Sequence, residues 1–174
     1  MSMTHYMELL TSPLNLLMFM AIPVVLAETL AITEFYILYT SAKSGPVRAV
    51  NRAAGIVLGV YFVGVFLYLL VNAVMPITQS DAWRGWIDMI AVGAYLAGVA
   101  PLAGIALLEL GVIFPRADAR QKLAIHAGLI SVFLVVGHVA MVFGMIDPRL
   151  GGWSETAVST PMHMPAAGSM QHSH

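Results

Sequence analysis

Apolar residues fill four long blocks of the chain, separated by short stretches that carry turn-forming and basic residues. The first block runs from Leu14 to Thr40, the second from about Ala53 to Met75, the third from about Ile87 to Phe114 and the fourth from Leu123 to Ile146. Crossing the hydrocarbon of a bilayer takes about 20 helical residues, so each block predicts a transmembrane helix. Ser12-Pro13 opens the first with a helix-start signal. Ser44-Gly45-Pro46, Pro76, Pro115 and Pro148 supply the breaks between blocks. The predicted fold class is all-α: a four-transmembrane-helix bundle over residues 1–150, followed by a flexible tail over 151–174. No internal repeat is evident, and no Lys or Arg precedes the first block, which reads as a retained helix rather than a cleavable signal.

Basic residues orient the bundle. Lys43, Arg48 and Arg52 fall between spans one and two, and Arg116, Arg120 and Lys122 between spans three and four, leaving Arg84 and Arg149 for the other side. By the positive-inside rule both basic loops are cytoplasmic. The N-terminus, the Ile77–Trp86 loop and the C-terminal tail are then extracytoplasmic, which predicts a multi-pass protein of a bacterial inner membrane with a periplasmic tail. Trp83, Trp86 and Trp153 fall near the outer interface, where indoles are favoured.

Composition agrees and narrows the chemistry. The chain is 59% hydrophobic and 10% charged, with a mean hydropathy of +0.84 and a net charge of -1, so no nucleic-acid footprint is expected. Cysteine is absent, which removes disulfides, thiolate metal sites and thiol nucleophiles together. Any metal must be held by Met, His, carboxylates or backbone. No phosphate-binding Gly loop, nucleophile elbow or His-Glu-x-x-His signature occurs, so enzyme activity has no positive support. Histidine enters the predicted spans at His126 and His138, both in the fourth, so no bis-histidine haem is expected within one protomer.

Methionine is one-sided. Its 12 occurrences all lie on the extracytoplasmic side or in the outer half of a predicted helix. Gap-filling in apolar cores explains methionine in general but not this asymmetry. Thioether sulfur and imidazole suit Cu(I) without thiolates. The tail carries Met162-His163-Met164, Met170 and His172-x-His174, and Met1-x-Met3-x-His5-x-Met7 repeats the theme at the other terminus. In span four His138, Met141 and Met145 stand at i, i+3 and i+7 and share one face. The metal reading makes this face a soft-ligand ladder below the tail; the plain reading is a core stripe with a hydrogen-bonded histidine.

Two of these features resemble the Ctr-type copper transporters: Met141-Val-Phe-Gly-Met145 near the outer end of a helix, and Met/His-rich extracytoplasmic segments. Gly55 and Gly59 form a Gly-x-x-x-Gly of the kind that lets membrane helices approach closely. Four spans and a different order of motifs depart from that three-span family, so the resemblance is one of chemistry rather than descent.

Carboxylates point to a second function. Glu28 and Glu34, with Thr29 and Thr33 between them, spread over about 240° of the first helix. Such an arc predicts a helix enclosed by the others or lining a wet cavity. Pro23 removes a backbone hydrogen bond and frees a carbonyl near Phe19. At 1.5 Å per residue, Glu34, Glu109 and His126 all lie roughly 6–9 Å from the cytoplasmic helix ends, with Glu28, His138 and Asn72 in the middle and outer layers. Two acids and an imidazole at one level suit a proton relay or a cation site; the alternative is a neutral, hydrogen-bonded lock.

The sequence therefore predicts a copper-binding inner-membrane protein for capture, transfer or transport at the periplasmic face, with copper as candidate cofactor. One alternative is a small proton- or cation-coupled transporter using the intramembrane glutamates. The other is a non-catalytic accessory or assembly subunit of a respiratory or oxidising complex, packed in the bilayer against a membrane-protein partner or another copy of itself.

Overall fold

The computed structural model describes residues 3–40 and 45–154. A short helix, α1 (His5–Leu10), precedes four helices long and apolar enough to cross a membrane: α2 (Pro13–Thr40), α3 (Pro46–Gln79), α4 (Gly85–Glu109) and α5 (Ala119–Met145). The protein is an all-α, multi-pass membrane bundle. Its helices alternate between a basic end, carrying Arg48, Arg52, Arg116, Arg120 and Lys122, and a tryptophan end, carrying α1, Trp83, Trp86 and Trp153.

Helix boundaries differ from the hydropathy blocks where local chemistry overrides hydropathy. Helix α3 begins at Pro46, well before the apolar block, because Pro suits the first helical turn and the polar Arg48, Asn51 and Arg52 continue the helix. Helix α4 stops at Glu109 rather than Phe114. Gly111 adopts a left-handed φ of 75°, and the Val112 and Gly111 amides bond back to the Leu107 and Leu108 carbonyls at 2.9 and 3.1 Å, the cap that glycine makes cheaply. Asp118 and Gln121 cap the start of α5 reciprocally.

Prolines interrupt the backbone bonding of the spans, and tyrosines satisfy the carbonyls released before Pro23. A π-helical turn, Leu17–Ala21, precedes Pro23, and a second, Leu70–Val74, precedes Pro76. The Phe19 carbonyl accepts from the Tyr95 hydroxyl at 2.6 Å and the Met18 carbonyl from Tyr61 at 2.8 Å. In a bilayer each such carbonyl left alone would cost several kcal/mol.

The helices pack as a ring in chain order. Helix α4 meets α5 most extensively, α3 packs on α4 and α2 on α3, while the contact between α2 and α5 is the loosest. Gly59 sets the tightest crossing: a Cβ there would overlap the Leu102 carbonyl and Ala106. The Gly-x-x-x-Gly thus serves packing within the protomer. Leu30, Leu58, Phe62, Leu102, Ile105 and Phe133 form the central core.

Of the two arrangements expected for helix α2, enclosure fails, since Ile32, Phe35, Tyr36 and Tyr39 point outward, while Glu28 does line a cavity. The Thr29 and Thr33 hydroxyls donate to carbonyls of their own helix, Val25 and Thr29, both at 2.7 Å. Their polarity is absorbed locally, and of the four polar side chains it is Glu34 that is fully turned into the bundle.

Candidate functional site

Glu34, Glu109 and His126 come together near the basic end. His126 Nδ1 lies 2.6 Å from Glu34 Oε2, and its other nitrogen, Nε2, lies 3.7 Å from Glu109 Oε1. The Glu34 and His126 side chains are 3% and 2% exposed, whereas Glu109 is 25% exposed. Glu109 Oε2 in turn lies 4.0 Å from Arg52 Nε. The four groups form a line from the edge of the bundle inward: Arg52, Glu109, His126, Glu34.

Three features of the local sequence build this line. Ending α4 at Glu109 puts that carboxylate at the mouth, where it meets α3 and α5. Gly55 leaves room beside the imidazole, since a Cβ there would lie 3.4 Å from His126 Nε2 and 3.0 Å from Ile105 Cγ2. Asn51 bridges α3 to α2 just beside Glu34, donating to the Thr33 hydroxyl at 2.9 Å and the Leu30 carbonyl at 3.2 Å. A cavity of ≈ 390 Å³ at the basic end is lined by Arg48, Arg52, Glu109, Lys122 and His126, among others, and so reaches the imidazole.

Hydrogen bonding in the line is incomplete. Glu34 Oε1 and His126 Nε2 are buried without a hydrogen-bond partner among the described residues. Buried polar atoms are nearly always paired, and each exception needs a reason. Because Nδ1 and Nε2 face different carboxylates, one ion cannot be held by the imidazole and both acids at once. The arrangement suits a proton entering at one nitrogen and leaving from the other. Closing the second link requires Glu109 to approach by roughly 0.5–1 Å, to hydrogen-bond distance.

The other residues singled out from the sequence scatter. Glu28, His138 and Met141 line a second cavity, of ≈ 260 Å³, between α2 and α5, together with Met20. His138 bonds through Nδ1 to the Leu134 carbonyl of its own helix at 2.6 Å. Met145, though on the same helical face, is 64% exposed and does not line that cavity, so the three-residue ladder is not continuous. Met18, Met75 and Met89 also face outward. Asn72 donates to the Tyr68 carbonyl of its own helix at 2.9 Å. Among the described residues no group of three or more His, Asp and Glu is arranged to hold a metal. Met162, His163, Met164, Met170, His172 and His174 lie outside the described residues.

Asp88 carries a network the sequence did not suggest. Its side chain is fully buried, His5 Nδ1 lies 2.6 Å from Oδ2, and the His5 amide donates to Oδ1 at 2.7 Å. The Arg84 amide also donates to Oδ2, at 3.2 Å, and the Arg84 guanidinium pairs with Glu8 at 2.7 Å and bonds the Met3 carbonyl. Thr4 donates to the Gly144 carbonyl of α5 at 2.7 Å. His5 is therefore engaged by Asp88 rather than presented in a methionine-histidine arm. Burial raises the Tyr6 phenol above its ordinary range, so it remains protonated where it packs against Gly144. An acid near a helix N-terminus was the available signal, since Asp88 sits in the first turn of α4.

No curated protein and no solved structure matches the chain. A family model does match, over residues 1–160, a stretch that takes in the four spans, the Glu34–His126–Glu109 line and the Asp88 network. The chain belongs to DUF6803, a family of unknown function.

Proposed function

We propose that the protein moves protons as a small coupled transporter, with Glu109, His126 and Glu34 as the relay. One observation carries the reading: a buried imidazole stands between two carboxylates, 2.6 Å from one through Nδ1 and 3.7 Å from the other through Nε2. Ionisable groups inside a membrane are expensive and mark ion or proton paths. A hydrogen-bonded lock would use every lone pair, whereas here the buried atoms retain spare bonding capacity. The cavity lined by Arg52, Lys122 and Glu109 gives water an entry. Beyond Glu34, the apolar layer of Leu30, Leu58, Phe62 and Phe133 keeps passage to the other side slow rather than channel-like. The clustering of basic residues supports a cytoplasmic basic end and a bacterial inner membrane, so protons reach Glu109 from the cytoplasm. The test is proton flux into sealed vesicles under a potassium diffusion potential. Wild type should exceed empty vesicles, and Glu34→Gln and Glu109→Gln should abolish the excess while leaving a folded bundle. Flux unchanged in both folded variants would reject the relay.

A second reading keeps copper handling at the tryptophan end. It rests on Met20, Met141 and His138 lining one cavity, with the His138 Nδ1 on a carbonyl, the orientation that metal-bound imidazoles adopt to free the other nitrogen. Competition for Cu(I) against a chromophoric chelator tests it: deletion of residues 159–174 should lower the stoichiometry, and Met20→Leu with Met141→Leu the affinity.

A further inference from the structure

The cavity between α2 and α5 has a composition of its own. Tyr6, Phe19, Phe62, Tyr95 and Phe133 contribute five aromatic rings to its wall, and besides the two phenols Glu28 and His138 are its ionisable groups. Four of the rings form a connected set, with centroids 5.4 Å apart for Tyr6 and Tyr95, 5.3 Å for Phe62 and Tyr95, and 5.8 Å for Phe62 and Phe133. The Tyr95 hydroxyl is occupied by the Phe19 carbonyl, so that ring offers its apolar surface rather than a free donor. Glu28 and His138 are both exposed, at the open edge of the cavity, and Glu28 has neither a hydrogen bond nor an ion pair among the described residues.

From this juxtaposition we infer that the cavity binds a lipophilic organic cation, an ammonium carried on an aromatic or branched apolar body, which enters from the bilayer between α2 and α5. Size favours an organic ligand, since the ≈ 260 Å³ volume exceeds the roughly 150 Å³ cavity that accepts benzene. Charge favours a cation. An acyl chain would leave the Glu28 carboxylate unpaired at the lipid-facing edge of the cavity, whereas a cation pairs with it and gains the faces of the surrounding rings. A neutral His138 would not offset this, because with Nδ1–H on the Leu134 carbonyl its Nε2 is an acceptor. Entry from the side follows from packing: α2 and α5 form the loosest seam, and Pro23 beside the π-turn lines the cavity there. This names a solute for the proton-coupled reading and rests on it for transport, but binding itself needs no proton flux, so the two can fail separately.

Phenyltrimethylammonium and tert-butylbenzene have the same shape and differ in charge. Titrated into the protein in nanodiscs, with empty nanodiscs as blank, the cation should bind wild type at least about tenfold more tightly than the neutral isostere. Glu28→Gln should erase that preference while retaining the isostere, and Glu28→Asp should keep part of it. Gly137→Leu supplies a variant expected to fold, because Gly137 lines the cavity and a Cβ there meets nothing within 4 Å. Its side chain should fill the space and weaken both ligands by at least about tenfold. Equal affinity for the two ligands in wild type, a preference that survives Glu28→Gln, or undiminished binding to Gly137→Leu would each overturn the assignment. Failure to bind the cation, with Cu(I) taken up in a Met20- and Met141-dependent way, would reassign the cavity to a soft metal.

Discussion

The molecule contains two histidine–carboxylate pairs with the same 2.6 Å contact through Nδ1, His5–Asp88 at the tryptophan end and His126–Glu34 toward the basic end. Their surroundings differ. Both Asp88 oxygens are occupied, by the His5 ring, the His5 amide and the Arg84 amide, and Arg84 is itself tied to Glu8 and Met3. Nothing is left over, and the result staples α1 across the ends of α4 and α5. The inner pair leaves one glutamate oxygen and one ring nitrogen unbonded, faces a second carboxylate, and meets a cavity. A saturated network resists rearrangement, while an unsaturated one in a low-dielectric interior has somewhere to send a proton. The spare valence, rather than the pair itself, separates a fastening from a relay.

Variants can break that contrast in graded steps. Asp88→Ala removes the acceptor for three donors and should destabilise the bundle most, by about 3–5 kcal/mol, read as a fall in thermal or denaturant midpoint, without a specific effect on flux per folded molecule. Gly55→Ala presses a methyl group toward Ile105 and His126 Nε2 and should cost about 1–3 kcal/mol, with flux reduced beyond what the loss of folded protein explains. Glu34→Gln keeps a hydrogen-bonding side chain and should cost only about 1 kcal/mol, yet abolish the flux; a large loss of stability with flux retained in the surviving fraction would make the inner pair another staple. Met145→Leu should have the least effect, within about 0.5 kcal/mol for an exposed position, and should leave Cu(I) affinity as it was. A fall in Cu(I) affinity on Met145→Leu would restore the continuous methionine ladder that the cavity geometry divides.

The four spans were legible because hydropathy and proline placement are strong, additive signals. The boundary at Glu109 was not, because it depends on one glycine adopting a left-handed backbone within an apolar run. Counting 1.5 Å per residue from the helix ends grouped Glu34, Glu109 and His126, which do meet, but it took Phe114 as the end of the third span; with α4 ending at Glu109 that carboxylate lies at the mouth rather than at the depth of the other two. Which way each side chain faces is a harder matter. The 240° arc on α2 was read as enclosure or a cavity lining; enclosure fails because two threonines disposed of their polarity on their own backbone, while Glu28 lines a cavity at the seam. His5 was read with the neighbouring methionines because they adjoin in sequence, whereas its partner lies 83 residues away. Long-range pairing of that kind leaves no local pattern, and the π-turns before Pro23 and Pro76 that shape the seam leave little more than the proline itself.

The account turns on His126 passing protons where His5 does not. Its most direct test is proton flux into vesicles containing matched amounts of folded His126→Gln or His5→Gln protein, each compared with wild type under the same diffusion potential. His126→Gln should lower the rate by about 10²-fold, the scale on which a positioned proton-transfer group acts, while His5→Gln should conduct as wild type does. Equal rates in the two variants, or conduction undiminished in His126→Gln, would contradict the relay and reduce both pairs to fastenings.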